Sequence, residues 1–267
     1  MAGVLIVTAL SSCSASGTAP KATPRHVFLI VMENKTPEQA LSGQFTASLA
    51  STYGEAANYT AVAHPSVPNY LALTSGQTWG VTDDSYHVLP KQDIGDELTN
   101  GGVSWRAYME GLTGGGCLDS PLPYDPGHNP FAFYGGGCPD NVVPLTSLAS
   151  DLNGNTPLFS WISPDMCHDE HSCDVPVGDD WLRQTVGMIR QSKAWSNNGV
   201  LFITWDEDDG SANNRVLTLV VTPHQGHRVS NQPYTHYSLL ASVEDLLGVA
   251  RLGQAASASA MTDLIAS

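Results

Sequence analysis

Two pairs of oxygen-bearing side chains follow apolar runs of the chain. Glu33 and Asn34 come directly after one such run, and Asp206 and Glu207 come directly after another. Carboxylate and amide oxygens are ligands that hard or borderline divalent cations prefer. Either pair alone is a weak signal, because an acidic residue at the end of a strand is often a helix cap or part of a solvated turn. The two pairs together indicate a metal site, provided that the fold brings them to one place.

Ser66 is the candidate nucleophile. It stands between two prolines, Pro65 and Pro68, which fix the backbone φ angle on either side of it. Asn69 then opens an apolar helical pattern, so we expect Ser66 close before a helix N-terminus, where free N–H groups and a positive partial charge suit an anion such as phosphate. A lone serine is a poor nucleophile, but a metal ion lowers the pKa of a hydroxyl that it binds. Without the acidic pairs, the same pattern would describe only a proline-flanked helix cap.

Histidines supply candidates for contact with a phosphoryl group. His168 and His171 follow an apolar run that ends near residue 162. An imidazole beside a phosphoryl group can bind its oxygens or protonate the departing alcohol. Any one histidine taken alone is more often structural or exposed than catalytic. The further candidates are His64, His128, His227 and His236.

Composition and charge describe a globular chain with many loops. Hydrophobic residues make up 42% of the 267 positions, and there are 25 glycines and 17 prolines. The formal net charge is −15, from 26 acidic against 11 basic residues. The basic residues form no cluster along the sequence, so we expect no surface that follows a nucleic-acid backbone.

The positions of apolar runs and helical patterns predict an α/β fold. Short runs rich in β-branched residues, typical of strands buried on both faces, occupy 25–32, 158–162, 200–205 and 217–221. Helical patterns occupy 37–53, 93–100, 145–152, 179–192 and 235–247, the last followed by Gly248 as a C-terminal stop. This alternation predicts a mainly parallel central sheet flanked by helices. Ligands in such sheets bind beyond the carboxyl ends of the strands, so the two acidic pairs should meet there.

The first 24 residues resemble an export signal and tether. A short apolar stretch is followed by Cys13, as in the lipobox of bacterial lipoproteins, and a segment rich in small polar residues then leads to residue 25. The alternative is an ordinary signal peptide with an incidental cysteine, and no Lys or Arg precedes the apolar stretch. We therefore predict an exported protein, extracellular or in the cell envelope, whose one membrane attachment would be a lipid anchor at Cys13. Residues 25–267 are predicted to form a single domain.

Four further cysteines suggest two disulfides in an exported chain. Three pairings are possible, and local closure favours Cys117 with Cys138 and Cys167 with Cys173. A zinc site that uses Cys167, Cys173 and the histidines between them is the lesser alternative. The segment at about 111–144, rich in glycine and proline, is interpreted as a long irregular insert that one disulfide holds and that covers the site.

Several motifs in order resemble the bacterial phosphoesterase family, which includes secreted phospholipases C and acid phosphatases within the alkaline phosphatase superfamily. The resemblance covers about residues 26–248. It is carried by MEN at 32–34, HPSVPNYLAL at 64–73, DEHSCDVPVGDDWL at 169–182, TWDEDDG at 204–210 and THYSLLASVEDLLG at 235–248. It implies an alkaline-phosphatase-like three-layer sandwich. Two departures, Tyr70 where phospholipases C have arginine and a shorter chain, favour a compact acid-phosphatase-like member.

The resemblance also assigns roles to residues. The metal ligands would be Glu33, Asn34, Ser66, Asp206 and Glu207, around a divalent cation that could be calcium, magnesium, manganese or zinc. The catalytic residues would be Ser66 as nucleophile, Asn69 in contact with phosphate, and His171 facing the phosphoryl group. His64, His168 and His236 are predicted to bind substrate; of these, His236 matches a family position to which the resemblance gives no role, and His168 has no firm counterpart in the family.

The predicted function is metal-dependent hydrolysis of phosphate esters, with a small molecule or a lipid headgroup as substrate and a phosphoseryl intermediate. A phospholipase C-type phosphodiesterase and a non-catalytic cation-binding surface protein are the alternatives. A sulfatase is disfavoured because the motif SVPNY at 66–70 lacks the arginine that sulfatase maturation motifs carry. A carboxyl-ester hydrolase is disfavoured because the sequence has no Gly-x-Ser-x-Gly motif.

Overall fold

A computed structural model of the protein describes residues 1, 3 and 25–265. Apart from residues 1 and 3, the predicted export signal, the tether and Cys13 lie outside the described residues. Export and the lipid anchor therefore stay predictions.

An eight-stranded sheet forms the centre of the fold, and a separate pair of short strands lies beside it. The strand order of the large sheet is β5-β4-β6-β1-β7-β8-β2-β9, and β10 pairs with β3. The strands are β1 (Val27–Met32), β2 (Gly54–Ala56), β3 (Tyr59–Thr60), β4 (Trp105–Met109), β5 (Val142–Pro144), β6 (Phe159–Ser163), β7 (Val200–Trp205), β8 (Thr218–Val221), β9 (Arg228–Ser230) and β10 (Tyr234–Thr235). In the large sheet only β8 runs against its neighbours, so the mainly parallel sheet is confirmed.

The central strands explain the apolar runs of the sequence. Every residue of β1, β6, β7 and β8 is buried, because helices cover both faces of the sheet. All four predicted strands are confirmed to within two residues. The sequence patterns missed β4 and five short strands, β2, β3, β5, β9 and β10, whose two or three residues carry too little periodicity to stand out.

The helices pack in two groups on the sheet. They are α1 (Pro37–Ala40), α2 (Gln44–Thr52), α3 (Ser66–Ser75), α4 (Ile94–Asn100), α5 (Gly116–Asp119), α6 (Leu148–Asn153), α7 (Val175–Gln191), α8 (Lys193–Ser196) and α9 (His236–Leu247). Helices α2, α6 and α8 pack with α7, whereas α4 and α9 pack with α3. The result is the three-layer sandwich that the resemblance implied.

Helix boundaries differ from the predicted ones where turn chemistry decides them. The predicted helix 37–53 is two helices, because the chain turns at 41–43 and Asp179 then accepts the N–H groups of Phe45 and Thr46 at the start of α2. Helix α7 begins at Val175, four residues earlier than predicted. Gly248 ends α9 with φ of 71°, as expected of a glycine stop.

Both disulfides have the locally closed pairing. Cys117 is bonded to Cys138, with Cα atoms 5.3 Å apart, and Cys167 is bonded to Cys173, with Cα atoms 4.7 Å apart. The alternative zinc site is therefore wrong, because both of its thiols are consumed.

The insert at about 111–144 is less irregular than predicted. It contains α5 and two turns of 3-10 helix, and its end forms β5 at the edge of the sheet. Among the helices of the described residues, none combines the length and the apolar character that a membrane crossing requires.

Candidate active site

The two acidic pairs meet because their strands are neighbours. Strands β1 and β7 are parallel, and their last residues, Met32 and Trp205, lie opposite each other. Glu33 and Asp206 therefore leave the sheet side by side. Asn34 turns the chain with φ of 51°, and its backbone N–H donates to Oδ1 of Asp206 at 3.1 Å. Asparagine tolerates this left-handed conformation better than most residues.

The hydroxyl of Ser66 lies between carboxylates of both pairs. Its Oγ donates to Oε1 of Glu33 at 2.5 Å and lies 3.1 Å from Oε1 of Glu207. The amide of Asn34 also donates to Oε1 of Glu33, at 2.7 Å. Ser66 is the first residue of α3 and not, as predicted, a residue before the helix. The structure thus brings all five predicted metal ligands into one cluster, with 8% of Ser66 exposed.

The carboxylates of this cluster are crowded and buried. Burial, and then the charges of neighbouring carboxylates, raise the pKa of Glu33 and that of Asp206 well above their ordinary values. Burial also raises the pKa of Glu207. Within the described part of the chain, Oδ2 of Asp206 is buried and makes no hydrogen bond. Crowded carboxylates with an unsatisfied oxygen fit a divalent cation, which would neutralise their charge.

A second group of side chains lies at the other oxygen of Glu33. Nε2 of His128 lies 3.3 Å from Oε2 of Glu33, and Nδ1 of His128 lies 3.0 Å from Oδ2 of Asp169. The hydroxyl of Tyr70 donates to Oε2 of Glu33 at 3.2 Å. Glu33, His128 and Asp169 are close enough together to hold a metal ion as well, as are Glu33, Asp206 and Glu207.

The sequence patterns gave no role to Tyr70 or Asp169 and named His128 only as one of several candidates. The position of Tyr70 beside Ser66 could have been predicted from the sequence, because residues four apart share one face of a helix and Tyr70 follows Ser66 by four. Asp169 stands inside a motif already quoted, two residues before His171. His128 gave no such signal, because its position depends on the path of the insert.

Two predicted histidines lie at the edge of the cluster. His64 contacts Oε2 of Glu207 through Nδ1 at 2.5 Å and Oδ1 of Asp208 through Nε2 at 3.1 Å, with 45% of its side chain exposed. His171 is exposed, and its ring centroid lies 6.3 Å from that of His128. Both are therefore accessible at the edge of the cluster, His64 beside Glu207 and His171 beside His128.

The side chain of Asn69 is fully engaged with the backbone. Its Oδ1 accepts the N–H groups of Val62 and Ala63, each at 3.0 Å, and its Nδ2 donates to the carbonyls of Ala63 and Pro65. Both amide hydrogens are thus in use, and Asn69 is 0% exposed. The buried amide of Asn69 is therefore not placed to make the predicted contact with phosphate. Asn69 instead stabilises the loop at 62–65, which precedes Ser66.

His236 and His168 do not lie where the predicted substrate role requires. His236 is buried between the hydroxyl of Tyr59 at 2.9 Å and the backbone carbonyl of Asp206 at 2.6 Å, and burial lowers its pKa to about 4. It therefore supports the Asp206 turn as a neutral ring. His168 contacts Glu110 at 3.0 Å and Asp165 at 3.5 Å, in a second cluster beyond β4 and β6. The turn after β6 directs it away from Ser66.

A carboxylate occupies the N-terminal end of α3. Oδ1 of Asp84, an exposed residue of the loop before α4, accepts the backbone N–H of Val67 at 3.0 Å. This is the N–H that follows Ser66, in the position where the sequence predicts that an anion binds.

The fold defines the class of protein. The crystal structure of a protein in the alkaline phosphatase superfamily from Vibrio parahaemolyticus matches with a TM-score of 0.63 at 12% identity, over 91% of this chain and 72% of that one. The fold is therefore that of the alkaline phosphatase superfamily. More narrowly, the Phosphoesterase family matches residues 31–250. The chain belongs to the Phosphoesterase family, and it is a hydrolase that acts on phosphoric ester bonds.

Two relatives show how similar the chain is in sequence to known phosphatases. The chain is 31% identical over 277 residues to the phosphatidylinositol-3-phosphatase of Mycobacterium tuberculosis, covering 98% of this chain and 92% of that protein. It is 28% identical over 244 residues to the phosphate-repressible acid phosphatase of Penicillium chrysogenum, covering 84% of this chain and 59% of the fungal protein. The chain thus spans only part of the fungal relative's length.

Proposed function

We propose that this protein is an exported, metal-dependent phosphatase of the acid-phosphatase type, which hydrolyses phosphate esters through a phosphoseryl intermediate. The observation that carries the proposal is the position of the Ser66 hydroxyl, 2.5 Å from Glu33 and 3.1 Å from Glu207. A nucleophile held among carboxylates at the carboxyl ends of parallel strands suits metal-assisted attack on phosphorus. Two disulfides support the proposal of export.

The residues that would hold the cation are Glu33, Asn34, Ser66, Asp206 and Glu207. When bound, a divalent cation supplies positive charge that lowers the pKa of the serine hydroxyl and offsets the charge of the phosphoryl oxygens. Calcium, magnesium, manganese and zinc are all compatible with these donors. Comparing the rate of turnover in the presence of each of these cations identifies the metal that supports activity.

The side chains of the cluster divide the proton transfers. Ser66 Oγ attacks phosphorus, the bond to the ester oxygen breaks, and Glu33 accepts the proton that Ser66 already donates to it. His171, exposed beside His128, donates a proton to the leaving oxygen. Water, which gives a proton to His171, then attacks phosphorus, the bond to Ser66 Oγ breaks, and Glu33 returns its proton to that oxygen, so that phosphate leaves and the Ser66 hydroxyl is restored. Asn69 contributes by holding the loop before Ser66.

The test compares p-nitrophenyl phosphate with a phosphodiester, a sulfate ester and an acyl ester, each with and without a chelator. We expect chelator-sensitive hydrolysis of p-nitrophenyl phosphate, its loss in Ser66→Ala, and a phosphorylated Ser66 after acid quenching. Ser75→Ala, at the other end of the same helix, is the matched control and should keep activity. Near-normal turnover by Ser66→Ala would discard the nucleophile, and cation binding without turnover of any ester would favour the non-catalytic alternative.

A further inference from the structure

A cavity of about 590 Å³ opens beside the catalytic cluster. Its walls are the segment that follows Asn34, residues 35–42, and the segment 170–175, which the Cys167–Cys173 disulfide closes into a short loop. His171 lines the cavity, and its ring centroid lies 6.3 Å from that of His128 at the catalytic cluster. Lys35, which follows the proposed metal ligand Asn34, lines it as well, so the cavity adjoins the cluster through these two residues.

The cavity has one anchored cation. Nζ of Lys35 donates to the backbone carbonyl of Glu170 at 2.7 Å and contacts that of Asn34 at 3.3 Å. An ammonium group has three donors, and these two carbonyls engage two of them. Lys35 is thus held in place at the boundary between cavity and catalytic cluster.

Oxygen acceptors dominate the remaining wall. Glu38 and Asp174 are exposed carboxylates that line the cavity, and the buried carboxyl of Glu170, which accepts from Trp205 at 3.0 Å, lines it too. Among the described lining residues, the carboxyl groups outnumber the single ammonium of Lys35. A second phosphate on the substrate would therefore meet net negative charge. A hydroxyl can donate to these carboxylates and accept from Lys35 or the hydroxyl of Ser172.

We propose that this cavity is the leaving-group subsite and that it takes a neutral polyol, so that the preferred substrates are monophosphate esters of hydroxyl-rich alcohols. This inference rests on the proposed function, since it assumes that the phosphoryl group binds at Ser66. Glu38 and Asp174 accept hydroxyl hydrogens of the polyol, and Lys35 donates to one of its oxygens. The same charges reject esters that carry a second phosphate.

The deciding experiment measures binding separately from turnover. In the Ser66→Ala protein, with each of the four candidate cations in excess, titration calorimetry compares inorganic phosphate, a hexose monophosphate, glycerol phosphate and a hexose bisphosphate. We expect the hexose monophosphate to bind roughly tenfold more tightly than inorganic phosphate, and the bisphosphate to bind more weakly than the monophosphate. Combining Glu38→Gln with Asp174→Asn should remove most of the preference for the monophosphate over inorganic phosphate and should weaken the discrimination against the bisphosphate.

Asp180→Asn is the matched control, because Asp180 is an exposed carboxylate of α7 outside this cavity. Both changed residues of the cavity are exposed, so folding should be preserved, and the thermal midpoint checks this. Equal affinity for phosphate and hexose monophosphate, or a preference that survives Glu38→Gln with Asp174→Asn, would overturn the subsite. Failure of the proposed function is seen separately, as absence of turnover by the parent protein.

Discussion

The imidazole of His128 lies 3.3 Å from Oε2 of Glu33 and stacks on the ring of Tyr70, with centroids 5.1 Å apart and planes 11° from parallel. The hydroxyl of Tyr70 donates to the same oxygen of Glu33 at 3.2 Å. One oxygen of Glu33 is therefore held by His128 and Tyr70, and the other accepts from Ser66. This division orients a carboxylate on which both cation binding and proton transfer are proposed to depend.

Removing the Tyr70 hydroxyl should loosen Glu33. Tyr70→Phe keeps the ring and its stacking on His128 but deletes the donor to Oε2. We expect cation affinity, measured by titration calorimetry, to fall roughly tenfold, in line with the usual cost of losing a hydrogen bond to a metal ligand. Tyr134→Phe is the control, because that buried hydroxyl contacts Thr74 of the same helix. Equal affinities in both variants and the parent would mean that Tyr70 does not position Glu33.

Cation binding should stabilise the protein. A ligand present at 100 times its Kd adds about 2.7 kcal/mol to the free energy of unfolding. For a chain of this size, that raises the thermal midpoint by roughly 5 °C or more. The rise in thermal midpoint on adding cation should vanish in Asp206→Asn. Without cation, the midpoint of this variant should exceed that of the parent, because one of several crowded carboxylates becomes neutral. A cation-induced shift of equal size in Asp206→Asn would contradict the assigned ligands.

The sequence predicted the sheet and the convergence of Glu33 with Asp206 because both depend on local patterns. Fully apolar runs identify central strands, and parallel strands end at one edge. The prolines and the helix that follows marked Ser66 as a candidate nucleophile near a helix N-terminus, whereas its place among the metal ligands was implied by the resemblance. Local signals were sufficient there because each residue lies within two positions of an element's end.

Contacts made over long stretches of chain were not predictable in this way. His128 reaches Glu33 only because the insert folds back over the sheet, a path set by the Cys117–Cys138 disulfide and by packing against α3. Asn69 has a residue type suited to phosphate, but its amide is satisfied by a loop whose shape no pattern in the sequence reveals. His168 and His171 are three positions apart, yet the tight turn directs them to different clusters.

Asp84 should compete with the phosphoryl group for the N-terminus of α3. Its carboxylate accepts the N–H of Val67, next to Ser66. Asp84→Asn removes a negative charge there, so we expect a KM for p-nitrophenyl phosphate about fivefold lower, equivalent to about 1 kcal/mol of Coulomb repulsion in a solvated site. The kcat should change little. Asp83→Asn, which alters the neighbouring exposed carboxylate that pairs with His87, is the control. An unchanged or higher KM in Asp84→Asn would show that Asp84 does not oppose substrate.

Glu244 should make stability fall with rising pH. It is fully buried on α9, where Oε1 accepts the N–H of Leu252 at 2.8 Å, and Oε2 has no hydrogen-bond partner within the described residues. Burial raises its pKa from 4.5 to about 8. Between these two values the folded protein keeps a proton that the unfolded chain releases. The contribution of Glu244 is therefore present at low pH and is lost as pH rises through that window, at up to about 1.4 kcal/mol per pH unit.

Glu244→Gln tests this because the amide keeps the acceptor for Leu252 and cannot ionise. Urea unfolding should give similar free energies for variant and parent near about pH 5, and a variant more stable by roughly 2 kcal/mol or more near about pH 8. Glu55→Gln, at a partly buried carboxylate of β2, is the control and should follow the parent at both values. If the Glu244→Gln and parent curves run parallel from about pH 5 to about pH 8, Glu244 is ionised in the folded protein, and the fall in stability has another source.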